Sequence, residues 1–155
     1  MLEVNQLAPE FCLEGVSPQG EVRVCSKDLK GKAYVIYFYP KDDTPGCTTE
    51  ACDFRDHLQA IGIDIYGVSP DSIESHKKFM QKYGLNFTLL SDPDFKVAKA
   101  FGAYGKKKLY GKESEGIIRS TFVIDKEGKI AIALYNVKAK GHVENLSKKI
   151  SQLSL

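Results

Sequence analysis

The chain has 155 residues, of which 43% are hydrophobic and 27% charged, and its 22 basic and 20 acidic residues leave a formal net charge of +2. This length is typical of one domain with a substantial core, so we expect residues 1–155 to form a single domain. The near balance of charge argues against nucleic acid or an anionic membrane as a partner. No apolar run approaches the roughly 20 residues that span a bilayer, and no signal peptide is recognisable, so the sequence predicts a cytoplasmic protein.

The hydrophobic pattern predicts alternating strands and helices. In chain order we expect a strand at 11–13, a strand at 21–25, a strand at 33–39, a helix from near 47 to 61, a strand at 63–68, a helix from 72 to about 83, a strand at 87–90, a helix from 93 to 101, a long loop over 103–118, strands at 120–124 and 129–134, and a C-terminal amphipathic helix marked by Val143, Leu146, Ile150 and Leu153.

This order favours an α/β protein with a thioredoxin-like fold. The strands at 33–39 and 63–68 are separated by one helix, which indicates a parallel β-α-β unit. The strands at 120–124 and 129–134 are joined by a tight turn and must be antiparallel. We therefore predict a mixed central sheet flanked by helices, with an N-terminal β-hairpin.

Cys47 stands after a predicted buried strand and a loop, at the start of a predicted helix. The thiolate is the nucleophilic form of cysteine, and the unpaired N–H groups and the positive dipole end of a helix stabilise it. The placement suits a reactive cysteine. It is equally compatible with a buried, inert one.

Cys52 lies five residues further along the same predicted helix. Ideal helix geometry turns the chain by about 500° over five residues and places the two Cα atoms ~8.7 Å apart. A disulfide needs them within about 6.8 Å, so a Cys47–Cys52 bond would require the first turns of the helix to unwind. A zinc site that includes His57 lacks a fourth ligand and the usual spacing, and a C-x-x-C redox motif is absent.

The segment from Tyr37 to Cys52, which reads YFYPKDDTPGCTTEAC, closely resembles the active-site segment of the peroxiredoxins, and within them of the bacterioferritin comigratory protein, or Q-type, group. The peroxiredoxin motif P-x3-[ST]-x2-C corresponds to Pro40, Thr44 and Cys47. A second segment, RSTFVID at 119–125, resembles the part of these proteins that carries the active-site arginine. The resemblance covers essentially the whole chain.

The resemblance implies a thiol-dependent peroxidase that reduces hydrogen peroxide and organic hydroperoxides. A hydroperoxide would oxidise Cys47 to a sulfenic acid, and Cys52 would resolve it as an intramolecular disulfide. Thioredoxin, or in some relatives glutaredoxin, would then reduce the disulfide. No metal, haem or flavin is implied, and the chain is expected to be a monomer or a weak dimer.

The same resemblance implies roles for four further residues. Arg119 would stabilise the thiolate and bind the peroxide, and Thr44 would donate a hydrogen bond to the peroxide or the sulfur. Pro40 would shield the sulfur from water, and Glu50 would support the arginine. Two other functions remain open at this point: a redox sensor or relay that passes oxidation to partner proteins by disulfide exchange, and a general thiol–disulfide oxidoreductase.

The remaining cysteines, histidines and a short lysine run carry no motif. We expect Cys12 and Cys25 to be small buried apolar residues, with a disulfide between them as the alternative if their strands pair as a hairpin. The histidines, His57, His76 and His142, are expected at the surface or as caps. The run Lys106–Lys108 is expected in a solvated loop.

Overall fold

A computed structural model describes residues 1–109 and 111–155. The elements in chain order are β1 (Cys12–Ser17), β2 (Gly20–Cys25), a short 3-10 helix (Ser26–Leu29), β3 (Tyr34–Phe38), α1 (Pro45–Ile61), β4 (Asp64–Ser69), α2 (Ile73–Tyr83), β5 (Thr88–Ser91), α3 (Lys96–Ala100), β6 (Tyr104–Leu109), β7 (Lys112–Ile117), β8 (Ser120–Ile124), β9 (Ile130–Leu134) and α4 (His142–Ser151). In the described parts of the chain, no helix combines the length and the apolar character needed to cross a bilayer.

Seven strands form one mixed sheet in the order β2-β1-β5-β4-β3-β8-β9. The central strands β3, β4 and β5 are parallel, and the remaining pairings, including the β1–β2 hairpin, are antiparallel. The predicted fold class, with its mixed sheet, flanking helices and N-terminal hairpin, is confirmed. The carboxyl ends of the parallel strands meet at one edge of the sheet, and the segment that leads to Cys47 leaves β3 at that edge.

Apolar side chains cover both faces of the sheet, as the continuous apolar run of β3 predicts. Val35 and Tyr37 face α1, α2 and α4, and pack against Phe54. Ile36 and Phe38 face the opposite side, which α3 and the β6–β7 hairpin cover. Since every residue of β3 is buried, the end of this strand is a rigid support for the loop that follows it.

The helix expected to start at Pro93 begins later. Asp92 is buried, and its carboxylate oxygens accept hydrogen bonds from the backbone N–H groups of Val97 and Ala98 at 3.2 and 2.9 Å. Phe95, with a φ of 61°, is the residue before α3. The prediction recognised a capping aspartate but placed the helix three residues too early, because a turn separates Asp92 from the N–H groups that it caps.

The prediction of a long loop over residues 103–118 is wrong. The described residues of this segment form the antiparallel β6–β7 hairpin, with Tyr104 opposite Ile117 and Leu109 opposite Lys112. Lys106 and Lys107 therefore lie in a strand rather than in a solvated loop. Tyr110, which the predicted loop also included, lies outside the described residues.

Cys12 and Cys25 are not buried core residues. They face each other directly across the β1–β2 hairpin, with Cα atoms 4.0 Å apart, and their sulfurs are joined in a disulfide. Cys12 is exposed and Cys25 half-buried. The expectation of buried, apolar thiols is therefore wrong, and the alternative of a hairpin disulfide is what the structure contains.

Candidate active site

Cys47 is the third residue of α1, which begins two residues earlier than predicted, at Pro45. Its thiol is unbonded to another cysteine and only 2% of the residue is exposed. The first turn of a helix has N–H groups without intrahelical partners, and the side chain of the N-cap residue, Thr44, does not satisfy any of them. The sulfur therefore lies in a buried position beside unpaired backbone donors.

Arg119, in the short connection between β7 and β8, contacts the Cys47 sulfur. Its Nη2 donates to Cys47 Sγ at 3.4 Å, although the two residues are 72 positions apart in sequence. A Cβ atom at Gly46 would lie 3.3 Å from the same nitrogen, so the glycine makes room for this approach. Burial alone would lower the pKa of the Arg119 guanidinium, but the negative charges of Glu50 and Cys47 outweigh burial and raise it.

Glu50 is fully buried and connects this pair to the C-terminal helix. Its Oε1 accepts from Arg119 Nη1 at 2.6 Å, and its Oε2 lies 2.6 Å from His142 Nε2. A buried carboxylate needs such partners, because an unpaired charge in the interior is strongly unfavourable. The structure thus places Glu50 next to the arginine. It also adds His142, which was expected at the surface or as a cap and is buried.

The two remaining motif residues lie in the loop that leads to α1. The Thr44 hydroxyl donates to the carbonyl oxygen of Lys41 at 2.9 Å rather than to the sulfur. Pro40 is half-buried and directly follows the last residues of β3. The loop therefore brings Thr44 to the N-cap position of α1, one helical turn before Cys47.

A buried contact between Asp42 and His76 connects this loop to α2. Asp42 Oδ2 lies 2.7 Å from His76 Nδ1, and His76 Nε2 donates to the carbonyl oxygen of Leu90 at 2.9 Å. Tyr39 and Ser75 also donate hydroxyl hydrogen bonds to Asp42, at 2.6 and 2.8 Å. His76 was expected at the surface, but none of it is exposed.

Cys52 is half-buried and free. It lies in the same continuous helix as Cys47, so the five-residue spacing gives a Cα separation of ~8.7 Å and keeps the two thiols out of bonding range. His57, the third residue of the zinc alternative, uses Nδ1 in a 2.8 Å contact with the carbonyl oxygen of Asp53. Within residues 1–109 and 111–155, no cluster of three or more His, Cys, Asp or Glu side chains could hold a metal ion.

Lys107 is a second residue that the sequence interpretation missed. It is half-buried in β6, and its pKa is lowered first by burial and then by the charge of Arg119, while the charge of Cys47 opposes the shift. Lys107 therefore lies close enough to Arg119 and Cys47 for their charges to act on it. The sequence signal for Lys107 was weak, because a lysine run is ordinarily solvated.

The fold and the site together define a class of protein. A buried cysteine in the first turn of a helix, with an arginine fixed against its sulfur, is an arrangement for thiol chemistry at an electropositive site on a thioredoxin-like scaffold.

The comparisons with known proteins identify the family. The AhpC/TSA family matches residues 4–133. Peroxiredoxin Bcp of Bacillus subtilis is 50% identical over 99% of this chain and 98% of its own, and Peroxiredoxin Bcp of Escherichia coli is 41% identical over 91% and 90%. The solved structure of Xanthomonas campestris Peroxiredoxin Q superimposes with a TM-score of 0.83 at 38% identity, over 98% of this chain and 96% of that one.

The chain belongs to the AhpC/TSA family and, within it, is a peroxiredoxin of the Bcp, or Q-type, group. Its activity is that of a thiol-dependent peroxidase.

Proposed function

We propose that Cys47 is the cysteine that reacts with the hydroperoxide, and that residues 1–155 act as one thioredoxin-like peroxiredoxin domain. The observation that carries this proposal is the 3.4 Å hydrogen bond from Arg119 Nη2 to Cys47 Sγ in the first turn of α1. The positive charge of Arg119 and the unpaired N–H groups of the helix favour the thiolate, which is the reactive form.

In the first step the Cys47 thiolate attacks the terminal oxygen of the hydroperoxide. The S–O bond forms, the O–O bond breaks, and the departing oxygen takes a proton to become water or an alcohol. Negative charge moves from the sulfur to the departing oxygen, so donors fixed along this line stabilise the transition state more than the ground state. Arg119 supplies such a donor, and the backbone N–H of Cys47 is a second one. The hydroxyl of Thr44, which donates to the carbonyl oxygen of Lys41 in this structure, would turn toward the peroxide to become a third. Pro40 limits the access of water.

In the second step Cys52 resolves the sulfenic acid. Its thiol condenses with Cys47–SOH, which forms the disulfide and releases water. Because the intact helix holds the two residues apart, the first turns of α1 must unwind, and the contacts of Glu50 with Arg119 and His142 must break. Glu50 thus supports the arginine in the reduced form and has to release it during oxidation.

An external dithiol completes the cycle by exchange with the Cys47–Cys52 disulfide. We propose thioredoxin as this reductant, with glutaredoxin as a substitute, and a cytoplasmic monomer or weak dimer as the working form. Hydrogen peroxide and organic hydroperoxides are the proposed substrates. The alkyl peroxide reduction activity described for the Xanthomonas campestris bacterioferritin comigratory protein, which is 37% identical to this chain, supports the organic class.

The proposal is tested by adding one equivalent of hydrogen peroxide to the reduced protein and mapping every cysteine by peptide mass spectrometry. Stopped-flow measurements on the wild type, Cys47→Ser and Cys52→Ser give the rates. We expect a rapid Cys47–Cys52 disulfide in the wild type, no fast oxidation in Cys47→Ser, and a persistent sulfenic acid in Cys52→Ser.

The double variant Cys12→Ser/Cys25→Ser is the matched control, because it removes the other cysteine pair and leaves α1 unchanged. A sulfenic acid that persists in the wild type while Cys52 stays reduced would contradict the resolving role of Cys52. Slow oxidation of Cys47 in every form of the protein would contradict the peroxidatic role itself.

A further inference from the structure

The β1–β2 hairpin carries a cysteine pair that the peroxidase reaction does not use. Cys12 and Cys25 are cross-strand neighbours, joined as a disulfide, at the edge of the seven-stranded sheet. β5 and β4 lie between β1 and β3, so at a strand spacing of about 4.8 Å Cys12 in β1 lies roughly 14 Å across the sheet from β3, and Cys25 in β2 lies roughly 19 Å away. Direct exchange with Cys47 within the folded molecule is therefore excluded.

The surroundings of Cys12 are those of a reactive sulfur. The residue is exposed, and Arg23 Nε donates a hydrogen bond to its Sγ at 3.3 Å from two positions before Cys25 on the neighbouring strand. A guanidinium beside a sulfur stabilises the thiolate, which makes that cysteine the better leaving group in exchange. Cys25, by contrast, is half-buried, and among the described residues no cationic side chain donates a hydrogen bond to its sulfur.

A surface cavity of about 1030 Å³ opens beside the pair. Its wall combines the two cysteines with the apolar side chains of Phe11 and Val97 and with Arg23. This volume is large enough to admit a small molecule beside the disulfide.

We propose that Cys12 and Cys25 form a second, reversible thiol–disulfide exchange site, whose substrate is a low-molecular-weight thiol bound in this cavity. The incoming thiolate attacks Cys25 Sγ, a mixed disulfide forms on Cys25, and Cys12 leaves as a thiolate stabilised by Arg23. A second thiol then attacks the mixed disulfide. The products are the reduced thiols of Cys12 and Cys25 and one small-molecule disulfide. Two electrons therefore pass from the two small-molecule thiols to the cysteine pair.

The redox state of the pair is measured in the double variant Cys47→Ser/Cys52→Ser, in which Cys12 and Cys25 are the remaining cysteines. The protein is equilibrated with glutathione buffers of varying ratio of reduced to oxidised form, quenched with acid, alkylated and analysed by mass spectrometry. We expect a reversible transition from disulfide to two thiols within this series. A pair that stays oxidised at every ratio is structural, a pair that stays reduced at every ratio forms no stable disulfide, and either result overturns the proposal.

The role of Arg23 is tested by the rate at which iodoacetamide alkylates Cys12 in the reduced protein at neutral pH. Arg23→Gln should slow this reaction by about threefold, the effect of removing a solvent-screened charge next to a thiolate. Arg23→Lys should restore part of the rate. Lys27→Gln removes a charge from the wall of the same cavity and should leave the rate unchanged. Equal rates in Arg23→Gln and Lys27→Gln would contradict the assignment.

The proposal is independent of the peroxidase mechanism, and one comparison separates the two. Cys12→Ser/Cys25→Ser should oxidise Cys47 with hydrogen peroxide at the wild-type rate, since both residues lie outside the site around Cys47. Absence of a reversible glutathione-dependent transition in Cys47→Ser/Cys52→Ser, together with normal peroxide reduction by the wild type, overturns only this inference. A loss of peroxide reduction with normal exchange overturns only the assignment of Cys47.

Discussion

Arg119 contacts the Cys47 sulfur and the Glu50 carboxylate, the two groups on which the proposed reaction depends. Arg119→Met should lower the second-order rate constant of Cys47 oxidation by about 100-fold, since removal of one fixed donor to a developing negative charge has an effect of this size. The rate is measured by stopped flow with hydrogen peroxide under single-turnover conditions.

Arg119→Lys is the matched variant, because it keeps the charge and loses the planar fork that reaches both partners. Its rate should fall between those of the wild type and Arg119→Met. If Arg119→Met reacts as fast as the wild type, the guanidinium has no part in the chemical step.

Lys107 should make the free energy of unfolding depend on pH in the alkaline range. Burial and the charge of Arg119 lower its pKa in the folded protein, so below the ordinary lysine pKa of 10.5 the unfolded chain binds more protons at this residue than the folded one. The free energy of unfolding should therefore rise as the pH rises toward 10.5. Lys107→Gln should lack this contribution.

The measurement is a series of urea unfolding curves between pH 8 and about 10.5 for both proteins. The difference in the free energy of unfolding between the wild type and Lys107→Gln isolates the contribution of the lysine from those of the other groups that titrate in this range. A difference that stays constant with pH would show that Lys107 is as hydrated in the folded state as in the unfolded one.

At the scale of elements, β1 joins the central sheet through one close approach. A Cβ atom at Gly15 would overlap the carbonyl oxygen of Leu89 and lie 2.9 Å from Leu90 Cα, both of them backbone atoms of β5. Gly15→Ala should therefore separate the hairpin from β5 and lower the free energy of unfolding by about 2 kcal/mol or more.

Gly116→Ala is the control for this prediction, since a Cβ atom at Gly116 in β7 meets nothing within 4 Å. Its urea unfolding midpoint should equal that of the wild type. Equal midpoints for Gly15→Ala and Gly116→Ala would mean that β1 can move away from β5 with little change in the free energy of unfolding.

The elements that the sequence predicts well are those whose pattern is local. Buried β3 has a continuous apolar run, and α1 and α2 end at Gly62 and Gly84, which adopt the left-handed conformation that favours glycine. The β6–β7 hairpin is polar, so its strands are defined by pairing with each other rather than by an apolar period. Because such a strand has no apolar face, its sequence has no apolar period by which it could be recognised.

The same distinction applies to the site. Pro40, Thr44 and Cys47 form a local motif, and the segment that begins with Arg119 resembles a known one. The contacts of His142 with Glu50 and of His76 with Asp42 join residues 92 and 34 positions apart. No local pattern encodes such contacts, and they become visible only when the fold brings α4 and α2 against the active-site segment.

For the whole molecule, the proposed mechanism requires α1 to unwind while the rest of the sheet stays folded. Oxidation by one equivalent of hydrogen peroxide should increase hydrogen–deuterium exchange in the first two turns of α1 and in the first turn of α4, where His142 loses Glu50. Exchange in β3, β4 and β5 should not change. Mass spectrometry of peptic fragments provides the measurement.

Cys52→Ser is the control for the exchange experiment, because it forms the sulfenic acid without the disulfide. Its α1 amides should keep the protection seen in the reduced protein. Equal protection of α1 in the reduced and the disulfide forms of the wild type would contradict the unwinding step.

The position of Glu50, held by Arg119 on one side and His142 on the other, has a kinetic consequence. In the proposed mechanism both contacts favour the helical form of α1, so they would delay the arrival of Cys52 and lengthen the time that Cys47 spends as a sulfenic acid. During that interval a second hydroperoxide can carry the sulfur to the sulfinic acid, which the disulfide would have prevented. On this mechanism, the carboxylate that holds Arg119 in place would also make the protein more sensitive to inactivation by excess hydroperoxide. The yield of sulfinic Cys47 should accordingly rise with hydroperoxide concentration, and a yield independent of concentration would show that resolution always comes first.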